Sequence, residues 1–421
     1  MTQDNSFRKL ITGMGAASVL AGSSLTAGDY GKAVVNDKMP VEEASTFCDF
    51  FDLSTLYEAD SGFIRGISLN GRYHGQGISQ EEDINGIDNN GFNQWQHRRA
   101  RLGLDIEFAN HFKFASSFNV SDGDGSGTGL IRRDFFNDVD EMYIQWAPSK
   151  TNYVTVGKQK QLITREFSTS SKKIKTIERS HIVNEVADQK PWGATYGFET
   201  GDFDHELGAW VYGTDGTSAQ GGFELPRGDS RGGFSYRLAY GITEQTKLHF
   251  DYAYTNNSDG RKSPTGSAIS NQGSNYQHGL ALGTVSDFGR LDLVTDMIFG
   301  INREASGATL GSKAIPAGDD TWGLVIMPTY EVTDKLEFVA KYGYMDSGQN
   351  QRTQRFGAPP GTGNNRQNVE GYHTLYAGLN YYLCGDNLKV MAGYELASGQ
   401  LFGTTTDIDS GTWMLGIRTF F

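Results

Sequence analysis

The feature that most constrains this chain of 421 residues is a two-residue alternation of apolar and polar side chains. It recurs from residue 62 to the C-terminus in segments of about ten residues. One segment places Phe338 and Tyr342 on one face and Glu337 and Lys341 on the other. Side chains alternate across a strand, whereas a helix would scatter both sets around its axis. The pattern therefore predicts an all-β chain.

Counting these segments predicts a transmembrane antiparallel β-barrel of about sixteen strands. Short connectors alternate with long ones rich in Gly, Asn, Ser and Asp, which is typical of periplasmic turns and extracellular loops. A soluble β-sandwich or propeller also has many short strands, but it has no reason to alternate connector lengths. The predicted strands begin near Gly62, Gln94, Phe112, Asp138, Tyr153, Trp192, His205, Gly232, Thr246, Tyr276, Arg290, Thr321, Leu336, Val369, Leu388 and Gly411.

The composition suits a pore better than a large dry core. Hydrophobic residues make up 37% of the chain, and the mean hydropathy is -0.47. No apolar run reaches the roughly twenty residues that a spanning helix needs. A barrel with an apolar outer wall and a polar lumen keeps the mean hydropathy low. Hydrolase and nucleotide-binding motifs are absent from the sequence, so we expect no enzyme activity, no cofactor, no metal site and no nucleic-acid partner.

The N-terminal region reads as an export signal over residues 1–27, with basic Arg8 and Lys9 before a mildly apolar stretch. Residues 28–61 are then predicted to form a periplasmic segment that precedes the barrel, residues 62–421. The two cysteines of the chain lie in this segment (Cys48) and in the last short turn (Cys384). Both positions are on the oxidising periplasmic side, so we hypothesise a disulfide between them.

The last ten residues resemble the closing strand of bacterial outer-membrane proteins. Trp413, Leu415 and the terminal Phe421 share one face, while Met414 and Arg418 share the other. The resemblance implies recognition of Phe421 by the barrel-assembly machinery. It also implies the outer membrane of a Gram-negative bacterium, where the wall contacts lipid and lipopolysaccharide.

The third extracellular connector, about residues 159–191 and here called L3, is rich in basic residues. We expect L3 to fold inward and narrow the pore, with a short amphipathic segment over residues 170–183 resting on the barrel wall. Ile174, Ile177 and Ile182 would form the apolar face of that segment. The predicted constriction residues are Lys158, Lys160, Arg165, Lys172, Lys173, Lys175 and Arg179.

Strand parity predicts that further basic residues face the lumen, opposite acids such as Asp251 and Glu395. Taken alone, the formal net charge of -13 opposes an anion pore. However, acids concentrate in predicted loops such as residues 81–83, and salt screens charges over about 8 Å. Local charge should therefore outweigh the total. The predicted lumenal basic residues are Arg72, Arg99, Arg101, Lys113, Arg237, Lys247, Lys341 and Lys389.

Four stretches resemble the phosphate-selective porin O and P family: Arg98–Asp105, Val154–Lys158, Thr169–Lys172 and Thr176–Ser180. The resemblance implies a sixteen-stranded homotrimer that passes phosphate or polyphosphate along arginines to lysines at a constriction. In this chain the loop holds more lysine than arginine.

The sequence therefore predicts an outer-membrane porin for passive diffusion of small solutes, with a preference for phosphate or another oxyanion. Two alternatives stay open. One is a weakly selective general porin in which the loop cations only shape a transverse field, and the other is a structural or adhesive barrel.

Overall fold

The structure of the protein is a computed structural model. It describes residues 47–48, 51, 54–84, 87–120, 138–187, 190–212, 231–256, 276–303, 309–310, 313–314, 320–346, 369–401 and 405–421. The predicted export signal, residues 1–27, lies outside the described residues, as does most of the segment 28–61. Across the described part of the chain, no helix is both long and apolar enough to cross a membrane.

The described residues are mostly strands, joined by turns and by one loop with two short helices, α1 (Arg165–Ser168) and α2 (His181–Val186). The strands are β1 (Thr55–Glu58), β2 (Ile64–Ile84), β3 (Ile87–Phe108), β4 (Phe112–Asn119), β5 (Asp138–Trp146), β6 (Asn152–Lys158), β7 (Trp192–Thr200), β8 (Phe203–Tyr212), β9 (Arg231–Gly241), β10 (Thr246–Thr255), β11 (Tyr276–Asp287), β12 (Leu291–Arg303), β13 (Thr309–Leu310), β14 (Lys313–Ala314), β15 (Thr321–Thr333), β16 (Leu336–Asp346), β17 (Val369–Tyr382), β18 (Leu388–Leu401) and β19 (Asp407–Phe420).

Sixteen of these strands close an antiparallel barrel, which confirms the predicted fold. Each strand from β2 to β12 pairs with the next, β12 pairs with β15, and the series continues to β19. Pairing of β19 with β2 then closes the circle. Most predicted strand starts lie within a few residues of the observed ones; the largest error is at Gln94, because β3 begins at Ile87.

The predicted loop at residues 81–83 is wrong. These acids belong to β2, and the β2–β3 ladder continues to its tip, with Glu82 opposite Asn89 and Asp83 opposite Asp88. Backbone hydrogen bonds hold a strand whatever the polarity of its side chains. A run of acidic residues therefore hid the strand from the alternation pattern.

The two faces of the wall follow the predicted parity. On β19, Trp413 is 66% exposed on the outer face, whereas neighbouring Met414 is 5% exposed and faces the lumen. On β16, Phe338 is exposed while Glu337 and Lys341 are buried inside the barrel. The apolar residues that face outward suit contact with lipid.

The end of the barrel with the short turns carries an additional strand that the sequence did not predict. Pairing of β19 with β2 stops at Arg72, and below that point β1 takes the same edge of β2, with Thr55 opposite Ser68. Upstream of β1, a disulfide joins Cys48 to Cys384 in the β17–β18 turn. The N-terminal segment thus crosses the foot of β19 and is tied to the turn beyond it.

The C-terminal residue completes the seam between β19 and β2. Its backbone exchanges hydrogen bonds with Gly71 at 3.0 and 3.3 Å. The ring of Phe421 covers Gly71 so closely that a Cβ at this position would lie 2.0 Å from a ring atom. Any side chain at position 71 would therefore require the Phe421 ring to move.

Candidate functional site

L3 enters the barrel at a glycine. Gly157 has a φ of 141°, and a Cβ there would lie 2.3 Å from the carbonyl oxygen of Met142 on β5. Other residues rarely adopt this conformation and would also collide with the neighbouring strand. Gly157 therefore lets the chain leave β6 and turn inward.

A strained turn at Thr164 is held by two wall carboxylates. Thr164 has a φ of 67°, which is unfavourable for a β-branched residue. Its N–H donates to Asp251 at 2.9 Å, and the next N–H, of Arg165, donates to Asp296. The Thr164 hydroxyl accepts the N–H of Phe167 at 3.2 Å and caps α1. These hydrogen bonds compensate for the strain and fix the start of the loop.

Apolar packing attaches L3 to one side of the barrel. A first cluster joins Phe167, Val183 and Val186 of the loop to wall residues such as Ile298 and Val325. Burying each large apolar side chain stabilises the fold by about 1.5–3 kcal/mol. A second cluster surrounds one loop residue and consists of Ile177, Met327, Val339, Tyr376, Met391 and Met414.

The predicted amphipathic segment is partly wrong. The loop does rest on the wall through Ile174, Ile177 and Ile182, which are all buried. However, the residues between Ser168 and His181 are not helical, and the helical turns lie on either side of them. Capping by Thr164 and contacts with distant strands determine where the helices form. The local spacing of isoleucines contains no information about the cap or about those contacts.

On this packed side, the basic residues meet carboxylates. Arg165 pairs with Asp251, and Arg237 pairs with the same carboxylate at 3.3 Å. Lys175 pairs with Glu337. These contacts place three of the cations that the sequence suggested for the pore against two carboxylates.

Glu166 and Lys341 form another buried pair on this side, at 3.3 Å. Burial alone would raise the pKa of the Glu166 carboxyl. Lys341, Ser180 and Arg179 outweigh that effect and hold this pKa below its ordinary value. The carboxylate stays ionised and neutralises Lys341.

The opposite side of L3 borders an open cavity of about 290 Å³, here called the basic cavity. Its other wall is formed by β2, β3 and β5 to β8. Two acids, Glu141 and Glu206, line it. The basic residues that line it are Arg72, Arg99, Arg101, Lys160, Arg179 and Lys190.

Two of these cations have carboxylate partners, and three are held by neutral groups. Arg101 contacts Asp140 at 2.7 Å, and Lys190 contacts Glu141 at 3.0 Å. In contrast, Arg72 donates to the Ser171 hydroxyl, Arg99 contacts the His74 ring at 3.3 Å, and Lys160 donates to the carbonyl of Phe167 at 2.8 Å. Neutral ligands orient a cation but leave its charge available.

Basic residues also lie side by side across neighbouring strands. Arg72 is directly opposite Arg101, and a second row runs from Arg418 through His74 to Arg99. Like charges in such positions destabilise a sheet. Guanidinium groups only donate hydrogen bonds, so Nδ1 of His74 accepts from both Arg99 and Arg418. The arrangement favours an anion at the wall.

Polar atoms without partners strengthen this assignment. Within the described residues, Nε of Arg72 and the hydroxyl of Ser168 are buried and make no hydrogen bond. Ser168 lines the basic cavity together with Ser170 and Ser171. Buried polar groups are normally paired, so these two donors could bind an oxyanion.

The structure brings part of the predicted site together. Lys160 and Arg179 meet Arg72, Arg99 and Arg101 at the basic cavity. The other predicted residues have separate surroundings. Lys158 donates to the Val139 carbonyl, Lys172 lies 5.6 Å from the ring of Phe420, and Lys173 borders a small separate cavity beside Asp292. Arg165, Lys175 and Arg237 are paired with wall acids, Lys341 is paired with Glu166 of L3, and Lys113, Lys247 and Lys389 are paired with Asp105, Asp204 and Asp386.

Parity missed one arginine. A bulge in the β2–β3 ladder lies beside Arg98, and Arg98 reaches Glu178 of L3 at 2.8 Å while Arg99 contacts His74. Two consecutive residues therefore point inward, which regular alternation forbids. Lys190 and the serines of L3 were also missed, because their role depends on where the loop folds.

A model of the family "phosphate-selective porin O and P" matches residues 67–301, which is more than half of the chain. The chain belongs to this family. The family and the barrel identify an outer-membrane porin of Gram-negative bacteria, that is, a channel. A search of curated proteins finds no significant match.

Solved porins share the fold of this porin at low sequence identity. The outer membrane channel DcaP of Acinetobacter baumannii is 12% identical with a TM-score of 0.55, covering 87% of this chain and 99% of its own. An anion-selective porin from Comamonas acidovorans is 13% identical with a TM-score of 0.53, and the match covers 84% of this chain and 99% of that porin. OmpF of Salmonella typhi, in complex with daunomycin, is 15% identical with a TM-score of 0.52, covering 87% and 100%.

Proposed function

We propose that this porin is an anion-preferring passive channel, and that its cargo is phosphate or another small oxyanion. The observation that carries the proposal is the set of cations held by neutral groups in the basic cavity, namely Arg72, Arg99 and Lys160. An anion that enters a narrow pore loses water, and fixed cations compensate for that loss and raise its local concentration.

The donor set suits a tetrahedral oxyanion. Arginine presents a planar fork of donors, while lysine is a compact charge that releases its ion more easily. The hydroxyl of Ser168 and Nε of Arg72 add unused donors close by. Conduction needs release as well as capture, and a mixture of both cation types meets both needs. The name of the family supports the same class of cargo.

A weakly selective general porin is the second candidate, and one observation favours it. Glu141 and Glu206 line the same cavity as the cations. Opposed charges across a pore would produce a transverse field that attracts ions of both signs. The acids are fewer than the cations, and Glu141 already contacts Lys190.

We also propose the assembly and partners that family membership and the C-terminal strand suggest. These are a homotrimer, lipid and lipopolysaccharide around the apolar wall, and recognition of Phe421 by the barrel-assembly machinery before its ring covers Gly71.

Reversal potentials in planar bilayers test the proposed function. In a potassium chloride gradient, the purified porin should give a reversal potential of the sign expected for chloride preference. Added phosphate should then reduce the chloride current in a saturable way. Cation preference would contradict the proposal, chloride preference without phosphate block would leave a general anion pore, and absence of conductance would favour a structural barrel.

A further inference from the structure

We propose that Phe167, an apolar residue, determines the anion preference by positioning Lys160 and Arg179 at the basic cavity. This inference rests on the proposed function. Phe167 is 1% exposed and lines the cavity. The ammonium nitrogen of Lys160 lies 4.9 Å from the centroid of its ring, and the guanidinium carbon of Arg179 lies 5.4 Å from it. A single ring therefore contacts two of the three L3 cations of the cavity; the third, Lys190, pairs with Glu141.

The backbone around Phe167 contacts the same two side chains. Lys160 donates to the carbonyls of Phe167 and Thr169 at 2.8 and 3.4 Å. Arg179 donates to the carbonyls of Glu166 and Thr169 at 2.9 and 3.1 Å. The last carbonyls of a helical turn lack partners within it, so they are available at the end of α1. Ring and carbonyls together form one holder for both cations.

Binding of a cation by a ring and carbonyls differs from pairing with a carboxylate in the net charge that is left at the site. The negative face of an aromatic ring and the dipole of a carbonyl attract a cation without cancelling its charge. On the packed side of L3, Arg165 is held by a carboxylate, Asp251, and its charge is neutralised. Lys160 has the ring and two carbonyls instead, so its charge remains available to an anion.

The position of the ring is itself fixed by the barrel. Phe167 belongs to the apolar cluster that joins L3 to the wall, together with Ile163, Ile182 and Val186 of the loop. The wall therefore fixes the position of the Phe167 ring, and the ring in turn positions the two cations. Replacing the ring should let both side chains move while the rest of the anchoring cluster stays.

The test compares Phe167→Leu with Phe167→Tyr in planar bilayers. Leucine keeps an apolar side chain and removes the ring, whereas tyrosine keeps the ring. We expect Phe167→Leu to lower the anion-to-cation permeability ratio roughly two- to fivefold, in line with the strength of cation–π contacts. Phe167→Tyr should retain the wild-type ratio.

Two further variants separate positioning from general loosening of the loop. Ile182→Ala removes packing from the same cluster and should change the ratio little. In a Lys160→Gln background, Phe167→Leu should have a smaller effect than in the wild type, because the lysine through which it acts is gone. Urea unfolding of each variant in detergent checks that the barrel is folded.

The outcomes distinguish the two proposals. If the wild-type porin lacks anion preference, the proposed function fails. If the wild type prefers anions and a folded Phe167→Leu variant keeps the full preference, the role of Phe167 is refuted. An equal loss in Ile182→Ala, or in Phe167→Tyr, would also refute it, because the effect would then follow packing and not the ring.

Discussion

The two sides of L3 use the same kinds of side chain for different purposes. Toward β10 to β19, cations such as Arg165 and Lys175 pair with wall carboxylates, and apolar clusters fill the remaining space. Toward β2 to β8, Arg72, Arg99 and Lys160 contact hydroxyl, imidazole and carbonyl groups beside an open cavity. The chemistry of the partner, more than the number of basic residues, separates the packed side of L3 from its open side.

This difference reconciles the net charge of -13 with the anion path proposed above. Acids such as Asp251 and Glu337 lie on the packed side, where they form ion pairs with basic residues of L3. The predicted loop acids at residues 81–83 are part of β2 instead. Ion pairs inside the barrel therefore account for part of the acidic charge.

The largest expected effect comes from breaking the packed side. Asp251→Asn removes the charge that pairs with Arg165 and Arg237 and weakens the acceptor for the Thr164 N–H. Leaving buried cations unpaired should lower the free energy of unfolding by about 3–5 kcal/mol. Urea unfolding in detergent measures it. Asp204→Asn is the matched control, since its ion pair with Lys247 is partly exposed and should cost about 1 kcal/mol or less.

Charge reversal on the open side should act on selectivity and leave the fold intact. The double substitution Arg72→Glu and Lys160→Glu places two acids where two cations faced the cavity. We expect the anion-to-cation permeability ratio to fall more than tenfold, on the order of 1.4 kcal/mol or more. Reversal potentials measure the ratio, with Lys247→Glu as the control. A similar fall in the control would mean that total charge, not the cavity, sets the preference.

A pH series sharpens the role of Lys160. Burial, with a further contribution from Arg179, lowers the pKa of Lys160 well below its ordinary value. The ammonium therefore loses its proton as the pH rises, at a lower pH than a solvated lysine would. Anion preference should decline severalfold over that rise, and Lys160→Arg, which stays charged, should remove the decline. Identical pH profiles for the wild type and Lys160→Arg would show that another group titrates.

The smallest effect is expected at lysines that L3 carries away from the basic cavity. Lys172 lies against Phe420, and Lys173 borders the small cavity beside Asp292. Changing both to Gln should alter the permeability ratio by less than about twofold, because neither lysine lines the basic cavity. If the permeability ratio fell as much as in the Arg72 and Lys160 double variant, the conducting path would have to lie on the other side of L3.

The wall could be predicted from the sequence because its signal is local. Alternation located fifteen of the sixteen barrel strand starts to within a few residues, and it placed Arg72, Arg99 and Arg101 on the lumenal face. The interior could not be predicted in the same way. Arg165 and Asp251 are 86 residues apart, so no local pattern pairs them. A β-bulge turns Arg98 inward, against the regular alternation. Contacts between cations and backbone carbonyls cannot be predicted from composition, because every residue has a carbonyl.

The disulfide at the foot of the barrel changes the topology of the whole chain. Cys48 and Cys384 are separated by 336 residues, so the covalent ring includes every strand from β1 to β17. Of the described strands, only β18 and β19 lie outside this ring, and they fill the gap between β17 and β2. The ring stays closed when the oxidised protein unfolds, and this loss of chain freedom favours the folded state by about 6 kcal/mol in the loop-entropy model. Separation of β19 from β2 would therefore free β18 and β19, while the disulfide-closed ring that contains β1 to β17 stays intact.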